Sequence, residues 1–164
     1  MKRALLLIDV QKHYVTKRHA DSMAYIGEMI GQYDKSNLPI LSLVYEDPFG
    51  RTIVDSIKKR LEKAKGVWHF SKLQTDGTKE ACSILSLRGL APGKTRIEVC
   101  GFYTDLCVLE TVIGLNRAGH KIVVHNAGTG ASSMSAQNSS IKRMKKLGIE
   151  IAHENNHIDR ERLD

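Results

Sequence analysis

Apolar positions along the chain alternate between short runs and spaced repeats, and this alternation sets the order of its elements. Ala4-Leu5-Leu6-Leu7-Ile8 is apolar without interruption, the pattern of a parallel strand buried on both faces. Ser22 to Tyr33 instead places Met23, Ile26, Ile30 and Tyr33 at helical spacing. Pro39 opens a second strand, Ile40 to Tyr45, which Glu46-Asp47-Pro48 closes. Ile53, Ile57 and Leu61 mark a basic amphipathic helix from about Thr52 to Lys65, stopped by Gly66. Val67 to Phe70 reads as a third strand, with Ser71-Lys72 directly after it. Asp76-Gly77 is a turn, and Lys79 to Leu87 is helical. Arg96 to Cys100 makes a fourth strand that Gly101 breaks. Thr104 is placed as an N-cap, with Val108, Val112 and Leu115 on one helical face before Gly119. Lys121 to His125 is a fifth strand, and Asn126 to Ser133 a loop rich in Gly and Ser. Ile141, Met144 and Leu147 identify a last helix before Gly148, and Ile149 to Ile151 a final strand. His13 to Asp21 reads as loop, and His153 to Asp164 as a polar tail.

Strands alternating with helices throughout predict an α/β fold: a three-layer, Rossmann-like, doubly wound sheet of about six parallel strands with helices on both faces. The 164 residues make one domain with a sizeable core. Composition fits this, at 41% hydrophobic and 26% charged.

A doubly wound sheet binds its ligands outside the carboxyl ends of its strands, so the residues at those ends are where chemistry is expected. Asp9 ends the first strand; a carboxylate there is costly unless paired or at work, although an Asp bonding the N–H groups of the next loop is the common alternative. Lys72 follows the third strand, where a surface lysine is the ordinary fate. Cys107 falls at the third position of the helix that Thr104 opens. Free N–H groups and the positive end of the helix dipole favour a thiolate and can hold an oxyanion there. Most free cysteines, by contrast, are small buried hydrophobes. Gln11, Tyr45, Asp47 and Tyr103 lie at the same strand ends and are candidates to line a substrate pocket.

Charge and cysteine content narrow the partners. The net charge of +7 comes largely from Lys58, Lys59, Arg60, Lys63 and Lys65, and from Lys142, Arg143, Lys145 and Lys146. These lie in amphipathic helices without interleaved aromatics, so solvated faces are expected and specific nucleic-acid binding is not. Asp9 cuts the first apolar run short of a signal peptide, and no stretch is long enough to span a bilayer. Three cysteines without an export signal read as reduced thiols in a cytoplasm. His153-Glu154-Asn155-Asn156-His157 matches the zinc-binding H-E-x-x-H pattern. It follows a strand, however, and Asn155-Asn156 is poor helix material, so no metal site is expected from it.

Leu5 to Gln11, Lys72 after an apolar strand, and Gly101-Phe102-Tyr103-Thr104-Asp105-Leu106-Cys107-Val108 followed by Thr111 together resemble the isochorismatase-like cysteine hydrolases. The resemblance runs from Ala4 to about Ile151. It implies an Asp9–Lys72–Cys107 triad, no cofactor, and hydrolysis of a C–N bond in a small amide or carbamoyl compound, in an enzyme expected to be a homo-oligomer. It also implies a cis Phe102–Tyr103 peptide and an oxyanion hole made by the N–H groups of Tyr103 and Cys107. Relatives that cleave the vinyl ether of isochorismate lack the cysteine, which favours the amidase side. Nicotinamidases carry an Asp-x-His…His metal site after the second strand, whereas Tyr45 to Lys65 here holds no histidine. Thr78 stands where the family's lysine turn usually carries an aromatic. A non-catalytic relative that binds a ligand or partner through its basic helices is the competing class, and a zinc hydrolase the third.

Overall fold

The central sheet has the strand order β3-β2-β1-β4-β5-β6, and every pairing within it is parallel. This is a computed structural model, which describes residues 1–46 and 52–152. The strands are β1 (Lys2–Ile8), β2 (Ile40–Tyr45), β3 (Val67–Lys72), β4 (Thr95–Phe102), β5 (Lys121–Gly130) and β6 (Glu150–Ala152). Between them run α1 (Ala20–Lys35), α2 (Asp55–Lys63), α3 (Thr78–Leu87), α4 (Leu109–Arg117) and α5 (Met134–Lys146). The doubly wound α/β architecture read from the sequence is the one observed.

Alternation along β1 and β4 divides the core into two layers. Ala4, Leu6, Ile8, Ile97 and Val99 face α3, α4 and α5 through Ala81, Leu85, Val112 and Met144. Leu5, Leu7, Cys100 and Phe102 face α1 and α2 through Ile26, Ile30, Ile57 and Leu61. A polar cluster joins the second layer: Glu98 accepts from Arg3 at 2.7 Å and pairs with His125 at 2.9 Å. Although burial alone would push the Glu98 carboxyl up, the His125 and Arg3 partners outweigh it and hold it at about 2. A folded-state value below the ordinary 4.5 means the pair stabilises the fold above that pH and loses its effect as pH falls towards 2.

Chain order reverses between β1 and β4, which places the topological switch point, and hence the crevice, between those two strands. Their backbones meet closely there. A Cβ on Gly101 would overlap the Ile8 carbonyl oxygen, and the glycine takes φ 146°. Gly101 therefore does not end β4 as expected; it lets the strand continue to Phe102. The segment 126–130 departs further from its reading as loop, because β5 continues to Gly130. A Cβ on Gly128 would stand 2.5 Å from Cys100 Sγ, and one on Gly130 2.6 Å from the Phe102 ring. Glycine permits a close approach to β4 there, and that packing overrides a composition typical of loops. Smaller differences lie at helix ends: α1 begins at Ala20 after a short 3-10 turn, and α2 is confined to Asp55–Lys63. No helix among the described residues is long and apolar enough to cross a membrane.

Candidate active site

Asp9 leaves β1 in the left-handed backbone region, with φ 51°, a conformation that Asp tolerates better than most residues. Its N–H donates to the Leu43 carbonyl at 2.9 Å, and its own carbonyl accepts from Gln11 N–H at 2.7 Å. The kink turns the carboxylate back into the crevice, where it is completely buried. Gln11, also buried, fixes the wall beside it. Its amide donates to the Tyr45 carbonyl at 3.0 Å and accepts from the Tyr45 N–H at 2.8 Å. Both ends of that amide are thus engaged with backbone, and Gln11 ties the ends of β1 and β2 together.

Lys72 is the last residue of β3, not the first of a loop, and it is 1% exposed. Its ammonium lies 2.9 Å from Asp9 Oδ2 and donates to the carbonyls of Gln74 and Thr75 at 3.0 and 3.1 Å. The Tyr45 ring adds a cation–π contact at 5.0 Å. A buried ammonium needs such a set, because desolvation must be offset by close acceptors. The turn after β3 folds its two carbonyls onto the lysine for this purpose.

Cys107 comes from the segment after β4. The Phe102–Tyr103 peptide is cis, and the five residues Thr104–Val108 form a single π-helical turn before α4. The N–H groups of Leu106 and Val108 both donate to the Tyr103 carbonyl, at 3.1 and 3.0 Å. Thr104 is consequently not an N-cap. It is the first residue of the wide turn, with its hydroxyl buried and without a hydrogen-bond partner, and the Tyr103 carbonyl takes the Leu106 N–H that a Thr104 cap could have met. Cys107 is the fourth residue of that turn, and π-turns inside helices concentrate at functional sites. Asp105 anchors the turn from outside, accepting from the Ser132 N–H at 3.2 Å and hydroxyl at 2.6 Å. Of the three site residues, only Cys107 retains an appreciable exposed fraction, 9%.

The electrostatics reverse one expectation. A helix N-terminus favours a thiolate, yet Cys107 is pushed up to about 12. Burial is the largest cause, and the Asp9 charge with its hydrogen bond to the thiol adds to it; Lys72 lowers the value by less. Asp9 is itself raised above 3.8, chiefly by burial, with Lys72 and the Cys107 thiol opposing. The resting arrangement is therefore a protonated thiol beside a carboxylate that holds its proton more readily than usual.

Tyr103 packs edge-on to Tyr14, with ring centroids 5.5 Å apart, so Tyr14 joins Tyr45 and Tyr103 around the site; the reading of 13–21 as loop gave no sign of it. Asp47 and the His153–His157 motif lie outside the described residues. The carbonyls of Gln74 and Thr75 also escape a sequence reading, since backbone acceptors leave no mark in side-chain patterns.

Comparisons with known proteins identify the family and the fold. The family model described as Isochorismatase domain matches residues 3–155. The nicotinamidase SaPncA from Staphylococcus aureus shares the fold at TM-score 0.77 and 22% identity, over 93% of this chain and 100% of that one. N-carbamoylsarcosine amidase from Thermoplasma acidophilum superposes at 0.76 with 17% identity, over 94% and 98%. The pyrazinamidase of Pyrococcus horikoshii, solved in complex with zinc, superposes at 0.76 with 15% identity, over 93% and 99%. No curated protein matches. At these identities the three structures establish a shared fold. Among the described residues no group of three His, Cys, Asp or Glu could hold a metal, and the sequence from Tyr45 to Lys65 contains no histidine.

Proposed function

The chain belongs to the isochorismatase family, and we propose that it is a cysteine hydrolase that cleaves a C–N bond of a small amide, carbamoyl or ureido compound through a thioester on Cys107. The observation that carries this reading is the buried Asp9–Lys72 ion pair, 2.9 Å long, set against Cys107, the one residue of the three that retains some exposure. An ion pair with side chains inaccessible to water is costly to build, and its position at the switch point gives it a use.

Substrate enters with its carbonyl carbon over Cys107 Sγ. Because the thiol is held protonated, attack and proton transfer to Asp9 proceed together. The new C–S bond forms as the carbonyl π pair moves onto oxygen, where the N–H groups of Tyr103 and Cys107 receive it. Lys72 keeps Asp9 ionised until that moment. The C–N bond then breaks, and Asp9 passes its proton to the departing nitrogen, which leaves as ammonia or an amine. Water next enters, Asp9 removes its proton, and hydroxide attack on the thioester releases the acid and restores the thiol. None of these steps calls on a metal.

The pH profile follows from the carboxylate. Catalysis needs Asp9 ionised, and Asp9 titrates above its ordinary 3.8, so kcat/KM rises with pH along an acid limb centred above that value. Ammonia release from a panel of primary amides and ureido compounds, measured from about pH 4 to 9 with a chelator present, checks both points. Full activity is expected under chelation. An acid limb at or below the usual carboxylate range, or loss on chelation with rescue by zinc, contradicts the reading.

A further inference from the structure

Thr111 lies four residues after Cys107 and is completely buried, on the helical face it shares with the nucleophile. Its hydroxyl oxygen accepts a 2.9 Å hydrogen bond from the N–H of Gly77. Gly77 closes the turn whose Gln74 and Thr75 carbonyls hold the Lys72 ammonium. The glycine is pressed against the lysine itself: a Cβ there would lie 2.8 Å from Lys72 Cδ and 2.5 Å from Leu43 Cδ2. The next residue is docked as tightly, for a Cβ on Gly114 of α4 would overlap the Thr78 hydroxyl. One buried hydrogen bond thus joins the helix that carries the thiol to the turn that places the cation.

We propose that Thr111 is a positioning residue that sets the Lys72 ammonium against Asp9 and Cys107 by pinning the turn after β3 through Gly77. The proposal rests on the triad reading above and deepens it. Without the hydroxyl, the buried Gly77 N–H has no acceptor, and the turn must shift to find one. Its two carbonyls move with it, and the ammonium follows them away from Asp9. Lys72 lowers both the Asp9 and the Cys107 values, so its withdrawal lets both rise.

The test reads the thiol directly and needs no substrate. The rate of Cys107 alkylation by iodoacetamide, followed on the Cys107 peptide by mass spectrometry, is recorded against pH for wild type, Thr111→Val, Thr111→Ser, Gly77→Ala and Lys72→Met. Thr111→Val, isosteric but without an acceptor, is expected to move the profile to higher pH. At a fixed pH below the midpoint, labelling then slows about tenfold for every pH unit by which the midpoint rises, in the direction of Lys72→Met. Thr111→Ser restores the wild-type profile, and Gly77→Ala displaces it by crowding the lysine from the other side. Far- and near-ultraviolet circular dichroism confirms that each variant is folded; if Thr111→Val does not fold, Gly77→Ala and Thr111→Ser carry the comparison. A Thr111→Val or Gly77→Ala profile that coincides with wild type, while Lys72→Met shifts, overturns the positioning role and leaves the triad standing. A Lys72→Met profile that does not move overturns both.

Discussion

Cys107→Ala loses amide hydrolysis by a factor on the order of 10,000 or more, because the thioester route closes and only binding and the oxyanion N–H groups remain. The effect is one of chemistry and not of folding. Cys107 sits at the edge of the core beside Val108 and Leu109, and trimming a single sulfur from such a place costs about 1 kcal/mol. Unfolding by urea, run beside the ammonia assay, separates the two. A variant that is folded and inactive is expected. A folded variant with wild-type turnover would remove Cys107 from the mechanism.

The second large effect is expected from Lys72→Met, and it falls on stability as well as rate. Methionine keeps most of the volume of the stem but leaves the Asp9 carboxylate buried and unpaired, with the Gln74 and Thr75 carbonyls also losing their donor. Breaking a buried pair by removing one partner costs about 3–5 kcal/mol. The pH dependence identifies the cause. With the cation gone, the folded-state value of Asp9 climbs further above 3.8. A carboxyl with a raised folded value opposes folding only where the unfolded chain would have ionised it. The deficit should therefore be small below about pH 4 and grow as pH rises towards the new folded value. Turnover falls in parallel, its acid limb displaced upward. Urea titrations of wild type and variant at acid and neutral pH give the comparison; an equal deficit at both would mean that Asp9 is not the group left unpaired.

The six strands were legible because each carries a short, mostly apolar run, unbroken in β1 and interrupted by single polar residues such as Ser42, His69 and Glu98 in others, and a doubly wound sheet then points to the strand ends where Asp9, Lys72 and Cys107 stand. What was not legible depends on contacts between segments. Residues 126–130 look like loop until Gly128 and Gly130 are seen against Cys100 and Phe102. Thr104 has the identity of a cap, but whether it caps is decided by the Tyr103 carbonyl, which takes the Leu106 and Val108 donors instead. The acidity of Cys107 was read from its helix position; the structure adds burial and a hydrogen-bonded Asp9, which raise the thiol by more than Lys72 lowers it. Thr111 was visible as a motif residue without a role, since its partner Gly77 lies 34 positions away.

A covalent thioester on Cys107 is the centre of the account, and its direct measurement is the intact mass of the enzyme quenched in acid during turnover of a slowly hydrolysed amide. The expected result is a mass increase equal to the substrate's acyl group, found on the Cys107 peptide, formed as ammonia is released and removed by neutral hydroxylamine. A single turnover that releases stoichiometric ammonia ahead of the acid product, with no adduct on that peptide at any quench time, would contradict it.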